Sequence, residues 1–183
     1  MIKITVDTSG ARKTLAAAEV AVARARVSAL NRVATTARAE AARLIAKRRG
    51  LKIGTVKEQI LIRRASRALD KAEIVVHGKP ISLRDYAARQ TRKGVSVVVT
   101  KGQRKRVKVA GNAAFQIQRL GQHVFVRTGK ARLPIRKLFG PSLPSTFTQE
   151  AISSAVIRAA REAWPKRFAE AVAYELRRAG VKK

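Results

Sequence analysis

Apolar positions at three- and four-residue spacing run through the first quarter of the chain. Alanine, valine and leucine recur at this helical spacing over residues 15–44, and arginines occupy the other sides. Residues 47–49 are Lys-Arg-Arg, a composition that the negative end of a helix dipole favours, and Gly50 follows as a residue that commonly ends helices. The pattern predicts one basic, alanine-rich helix that begins near Ala11, with about 38 residues and a length of about 57 Å.

Alternation of apolar and polar residues replaces the helical pattern in the middle of the chain. Short strands are predicted at the amino terminus and in the middle, over residues 2–6, 60–65, 72–76, 95–99, 107–109, 115–118 and 124–126. Residues 101–106, Lys-Gly-Gln-Arg-Lys-Arg, are predicted to form a hairpin tip, and Gly121 a turn between the last two strands. These strands predict a small, mostly antiparallel sheet.

Two capping patterns predict further helices. Thr55 with a glutamate three residues later predicts a short helix, and Thr146 with a glutamine three residues later predicts the start of the carboxy-terminal helix. Pro165 should kink or divide that last helix, because an interior proline removes a backbone hydrogen bond.

Together these elements predict an α+β fold with a long N-terminal helix, a small mostly antiparallel β-sheet, a proline-rich extended loop and a C-terminal helix. With 183 residues, 46% of them hydrophobic, the chain is long enough for one domain with a core. We expect a single domain over residues 1–183. Its parts are a strand and long helix (1–50), a sheet region (51–128), a proline loop (129–147) and a C-terminal helix (148–183).

Three prolines, Pro134, Pro141 and Pro144, fall within eleven residues of the loop that we call the proline segment (residues 129–147). Each fixes its own φ and pushes the preceding residue toward extended geometry. The segment carries too many apolar residues for a solvated linker, and we expect no regular strand pairing in it. The sequence predicts an ordered extended loop that lies against the protein's own sheet or against a neighbouring subunit, and both alternatives stay open.

The proline segment and the strand before it resemble the bacteriophage minor tail protein Z family. An apolar strand ending in arginine (residues 123–127, His-Val-Phe-Val-Arg) precedes Arg-Leu-Pro-Ile at 132–135 and Gly-Pro-Ser at 140–142. Residues 29–32 (Ala-Leu-Asn-Arg) and 113–115 (Ala-Ala-Phe) are also similar, so the resemblance extends from about residue 25 onward. It implies a structural component that completes the head-proximal end of the tail of long-tailed phages.

The resemblance implies an assembly role for the proline segment. We expect a ring of identical subunits, with a hexamer favoured, that contacts other phage tail and connector proteins. The predicted location is the virion tail, after synthesis in the host cytoplasm; the absence of cysteine fits a reducing compartment. The residues assigned to this assembly loop are Arg132, Leu133, Pro134, Ile135, Leu138, Phe139, Gly140, Pro141 and Ser142.

The charge of the chain adds a requirement for an anionic partner. Lys and Arg number 41 against 11 Asp and Glu, a formal net charge of +30, which would oppose the packing of identical subunits unless it is neutralised. Residues 86–149 contain fourteen basic residues and no acidic one. The positive charge of this stretch therefore has no local carboxylate to pair with.

A basic cluster around the predicted hairpin tip is the candidate contact for this partner. Its members are Arg92, Lys93, Lys101, Arg104, Lys105, Arg106 and Lys108. The cluster is compatible with a solvated hairpin tip, with direct contact to DNA phosphates, or with docking onto an acidic protein ring. No recognised DNA-binding motif is present, so any contact with DNA should be independent of sequence. The alternative function is a non-specific nucleic-acid-binding or packaging protein.

Catalytic chemistry is poorly supported by the sequence. His77 and His123 are the two histidines, and there is no cysteine, so a metal site is not expected. Asp70 and Glu73 fall in a predicted turn, where solvated charges are the simpler interpretation. We therefore predict a protein that is not an enzyme, without a cofactor, metal or small-molecule substrate. No apolar run reaches membrane-spanning length, and no signal peptide is evident at the amino terminus.

Overall fold

A computed structural model describes the backbone of residues 9–180 and the side chains of residues 13–180. The helices are α1 (Ser9–Arg49), α2 (Ile53–Glu58), α3 (Pro144–Phe147) and α4 (Glu150–Arg178). The strands are β1 (Ile60–Arg63), β2 (Glu73–Val76), β3 (Arg89–Thr91), β4 (Gly94–Thr100), β5 (Gln103–Arg106), β6 (Lys108–Val109), β7 (Asn112–Ala113), β8 (Phe115–Ile117), β9 (His123–Arg127) and β10 (Ile135–Lys137). The α+β class is confirmed. The strand predicted at residues 2–6 lies outside the described residues.

The long first helix agrees with its sequence pattern. Helix α1 has 41 residues, begins at Ser9 and ends on three basic residues, Lys47, Arg48 and Arg49. Gly50 follows with φ of 66°, the left-handed conformation in which helices commonly end and which glycine adopts without a steric penalty.

Both predicted capping boxes are wrong. Helix α2 has Lys52 at its N-cap without a side-chain cap bond, so Thr55 lies inside the helix. Helix α3 begins at Pro144, whose fixed φ suits the first helical position, and this places Thr146 within the helix. Pro165 lies inside α4, which continues past it as one helix, so the proline does not divide the element.

The strands form several small sheets instead of the single sheet expected. Their orders are β1-β2, β10-β9-β8, β3-β4-β5 and β6-β7. The pairings within the three-stranded sheets and between β6 and β7 are antiparallel. The strands are short, and several are joined directly to their partners by tight turns, which favours separate hairpins over one wide sheet.

The described chain divides into two compact units by its internal contacts. Unit 1 comprises residues 9–37, 62–74 and 157–180, and unit 2 comprises residues 38–61 and 75–156. The expectation of a single domain over residues 1–183 stays a prediction.

Unit 1 is built on small side chains. Ala25 and Ala29 of α1 and Ala171 of α4 form a buried cluster, with Trp164 and Phe168 packed against it. The two aromatic rings stack with their centroids 5.3 Å apart.

Asn31, one of the residues that carry the family resemblance, ties α1 to the chain after β1 within unit 1. Its Nδ2 donates to the carbonyl oxygen of Ala65 at 3.1 Å, and its Oδ1 accepts from the Ala65 N–H at 2.9 Å. The amide side chain therefore satisfies both backbone groups of a residue that is only 6% exposed.

Unit 2 holds the larger side chains of the core. Its fully buried members include Ile45 of α1, Ile60 of β1, Tyr86, Leu143 and Thr146. Tyr86 is the largest of the fully buried side chains, and it follows a 3₁₀ helix at Leu83–Asp85. Tyr86 and Leu143 bring the proline segment into the core of this unit.

Candidate assembly segment and basic surface

The proline segment contains a regular strand, contrary to the expectation of a loop without pairing. Strand β10 pairs antiparallel with β9, with Ile135 opposite Arg127 and Lys137 opposite Phe125. The N–H of Leu138 continues the ladder by donating to the carbonyl of Val124 at 2.8 Å. Pairing is possible because the prolines fall on either side of β10, so every residue of the strand keeps its N–H group.

Leu143 also departs from the extended geometry expected before a proline. Its φ of −80° and ψ of −28° lie in the helical region. Leu143 caps α3, and the N–H groups of Thr146 and Phe147 both donate to its carbonyl, at 2.9 and 3.0 Å. These bonds and the complete burial of the Leu143 side chain offset the usual preference.

Tyr86 anchors the middle of the proline segment. Its hydroxyl donates to the carbonyl oxygen of Pro141 at 2.6 Å, and the N–H of Gly140 donates to the Ile81 carbonyl at 2.7 Å. A Cβ atom at Gly140 would overlap the Tyr86 ring, with Cζ only 2.8 Å away. Burial raises the pKa of the Tyr86 phenol, although the charge of Arg49 opposes the shift, so the hydroxyl stays a proton donor.

The end of the segment is fixed by a second buried polar contact. Arg49, the last residue of α1, donates from Nε to the hydroxyl oxygen of Thr146 at 2.7 Å. Thr146 is fully buried, and its hydroxyl has this guanidinium as a partner.

His123 links the segment to the chain before Tyr86. Its Nδ1 lies 2.9 Å from the Ser82 hydroxyl and its Nε2 lies 3.1 Å from Lys137 Nζ. An ammonium group can only donate, so Nε2 accepts and Nδ1–H donates to Ser82. Burial lowers the pKa of the His123 imidazole, as do the positive charges of Lys137 and Arg84, and both favour this neutral form.

The assembly-loop residues divide between buried and exposed positions. Leu138 is 8% exposed, whereas Leu133 is 67% and Phe139 50% exposed. The segment therefore lies against the protein itself, which was one of the two alternatives. It also exposes two large apolar side chains, Leu133 and Phe139, to solvent. The contact with a neighbouring subunit stays a prediction.

The basic cluster is not assembled as the sequence indicated. The turn between β4 and β5 consists of Lys101 and Gly102 alone, so the range 104–106 lies on strand β5 and not at a hairpin tip. The range 92–93 lies in the turn between β3 and β4, at the opposite end of β4. This seven-residue strand separates the two turns by about 20 Å.

Strand register instead brings three arginines to one face. Arg89 of β3 and Arg106 of β5 both lie opposite Ser96, and Arg104 lies opposite Val98. Residues directly opposite in an antiparallel pair share a face, so these arginines share the face of Ser96, away from the buried Val95 and Val97. We call this the arginine face.

The three arginines differ in their contacts. Arg104 is held by the protein, because its guanidinium donates to the Ala87 carbonyl at 3.1 Å and to the Ser96 hydroxyl at 3.2 Å. Arg89 and Arg106 are exposed. Sequence reasoning missed Arg89, since only the register across β4 places it on the same face as Arg106, with Ser96 between them.

The basic stretch of residues 86–149 forms no ion pairs with the described carboxylates. Among the side chains that the structure describes, every residue that forms an ion pair lies within 26–85 or 150–178, and none lies within residues 86–149. No carboxylate in the described chain therefore neutralises the fourteen positive charges of that stretch.

These features define a basic α+β protein that exposes large apolar side chains and a cationic face. The model of the prophage minor tail protein Z family matches residues 12–182, nearly the whole chain, and the protein belongs to this family. It is therefore a phage minor tail protein with a structural role in the virion tail. No curated protein and no solved structure matches the chain. In the described part of the chain, no helix is long and apolar enough to span a membrane.

Proposed function

We propose that this protein completes the head-proximal end of the phage tail as a ring of identical subunits, with six copies favoured. The ring would contact other tail proteins and the connector in the virion, after synthesis in the host cytoplasm. The role is structural, without catalysis, cofactor or small-molecule substrate. The observation that carries this proposal is the proline segment, which is fixed to the core at Tyr86 and Thr146 but exposes Leu133 and Phe139.

Rigid exposed apolar groups favour an interface role. A backbone that is already ordered has little conformational entropy left to lose when a partner covers its side chains, so binding costs less. Leu133 and Phe139 lie on either side of β10, which the ladder with β9 holds in place. The segment therefore offers two apolar contacts at a fixed separation to a neighbouring subunit or tail protein.

Replacing Leu133 and Phe139 together by serine tests this role. Both side chains are at least half exposed, so the free energy of unfolding should change by less than about 1 kcal/mol, including the cation–π contact of Lys137 with Phe139 at 5.3 Å. In a phage carrying this variant, negative-stain imaging should show filled heads with absent or detached tails.

Leu120→Ser supplies the matched control. Leu120 is 51% exposed and lies in the same unit but outside the proline segment, so phages carrying this change should have normal tails. Normal tails in the double variant of Leu133 and Phe139 would contradict the assembly role of the segment.

A second candidate function is sequence-independent contact with DNA in the tail channel, which the arginine face favours. Arg89 and Arg106 share this face, and no ion pair in the described chain neutralises them. Such contact would suit DNA that moves past the protein. A dedicated packaging protein, the rival alternative, would bind duplex DNA tightly in isolation.

Salt dependence of duplex binding tests the arginine face. Replacing Arg89 and Arg106 by glutamine should reduce the slope of log affinity against log salt by about 1.8, since each phosphate contact contributes about 0.9. The control variant, Arg158→Gln with Arg161→Gln, removes the same charge from exposed positions on α4. An equal change in slope for both variants would mean that net charge, and not this face, determines binding.

A further inference from the structure

Unit 2 contains a pocket of about 390 Å³ that neither the proline segment's exposed face nor the arginine face uses. It lies beside the end of α1, the β4–β5 turn and the start of α4. Its main lining residues are Leu44, Lys47, Arg48, Lys101, Gln149 and Ile152. The volume falls in the range of ordinary ligand sites and exceeds that of a single leucine side chain.

The floor of the pocket is apolar. Ile152 is 7% exposed and Leu44 is partly buried, and both belong to helices that the core of unit 2 holds in place. An apolar side chain that entered the pocket would therefore exchange contact with water for contact with a preformed surface.

The rim of the pocket is cationic. Lys47, Arg48 and Lys101 are exposed, and the backbone N–H of Lys101 donates to the Arg48 carbonyl at 3.1 Å. This bond holds the β4–β5 turn against the end of α1, so the three cations stay near one another. No carboxylate lines the pocket, and none of these cations takes part in an ion pair among the described side chains.

We infer that this pocket docks an acidic peptide segment of another protein, with a leucine-sized side chain on the apolar floor and carboxylates at the three cations. The inference rests on the proposed tail role, because it names the chemistry of the tail or connector surface that the ring would contact.

Charge complementarity selects this occupant over two others. A second copy of this chain has 11 Asp and Glu against 41 Lys and Arg, so few of its segments could supply the carboxylates that a cationic rim requires. A nucleic-acid backbone would satisfy the cations but would leave the floor of Leu44 and Ile152 without an apolar partner. Carboxylates beside an apolar side chain satisfy both parts of the pocket.

Peptide binding by the purified full-length protein tests the inference. The probe is a fluorescein-labelled dodecapeptide of glutamate and leucine, and the measurement is fluorescence anisotropy at physiological salt. We expect saturable binding. The triple variant Lys47→Gln, Arg48→Gln, Lys101→Gln should weaken affinity about tenfold or more, because it removes the charges that face the carboxylates.

Two controls separate the pocket from general electrostatics. The variant Arg119→Gln, Lys130→Gln, Arg136→Gln removes three exposed cations elsewhere in unit 2, and it should change affinity by less than about threefold. A probe with serine in place of leucine should bind the unchanged protein about tenfold more weakly, since it cannot bury a side chain on the floor.

Absence of binding, equal weakening by both triple variants, or equal affinity for the serine probe would overturn the inference. Lys101→Glu is a second variant, placed in an exposed turn where it should not impair folding, and it should also weaken binding. Because the assay needs no phage, its failure is distinguishable from failure of the tail role. Loss of tails in the Leu133 and Phe139 variant without peptide binding would reject the pocket and keep the tail role.

Discussion

Replacing Gly140 with alanine should destabilise the protein by about 2–4 kcal/mol, the cost of overpacking a close contact together with a strained hydrogen bond. The added Cβ would overlap the ring of Tyr86, which is fully buried and cannot swing into solvent. Any shift of the ring would also disturb the bond of its hydroxyl to the Pro141 carbonyl. Urea unfolding of the two proteins, compared at equal m values, measures the effect.

Gly129→Ala is the matched control for this prediction. Gly129 lies in the same proline segment, and a Cβ there would have no atom within 4 Å. Its substitution should leave the free energy of unfolding within about 0.5 kcal/mol. A double-mutant cycle with Tyr86→Leu gives a second check, because a smaller ring-free side chain should reduce the cost of Gly140→Ala. Equal costs in both backgrounds would show that the overlap with Tyr86 is not the cause.

Replacing Asn31 with alanine should lower the free energy of unfolding by about 2–4 kcal/mol, because it leaves two backbone groups of the buried Ala65 without partners. The cost of such a change is mainly the desolvation of the backbone donor and acceptor of Ala65. The alanine methyl group cannot replace the two hydrogen bonds that Asn31 makes with them. Thermal and urea unfolding measure it.

The comparison for this change is Asn112→Ala, which removes one exposed hydrogen bond, from Nδ2 to the carbonyl of Arg127 at 3.2 Å. Water can replace that bond, so the expected loss is below about 1 kcal/mol. Similar losses for the two substitutions would mean that the paired contact of Asn31 with Ala65 contributes little to unit 1.

The sequence gives a good account of elements whose signal is local. The apolar spacing of residues 15–44 and the glycine after the last basic turn predict α1 almost to its ends. The capping boxes failed at Thr55 and Thr146 because neighbouring residues offered earlier helix starts, in the second case a proline suited to the first helical turn. Short capping motifs are weak signals when a proline or a tertiary contact competes with them.

The candidate site was predicted only in part. The composition of the proline segment indicated an ordered segment, but it could not identify Tyr86 as the partner of Gly140, because that contact joins residues 54 positions apart in the sequence. The basic cluster was wrongly placed because its members were grouped by sequence proximity, whereas β4 separates the two turns and register puts Arg89 on the same face as Arg106.

The sequence by itself determined the long helices, the prolines that bracket β10, the family resemblance and a stretch of fourteen positive charges without a carboxylate. Tertiary structure alone decided that β10 pairs with β9, that Leu143 is buried while Leu133 is exposed, and that three arginines share one face. The reason is physical: helical periodicity and net charge depend on residues near one another in the chain. Strand register and burial depend on contacts between distant residues, which a local pattern does not specify.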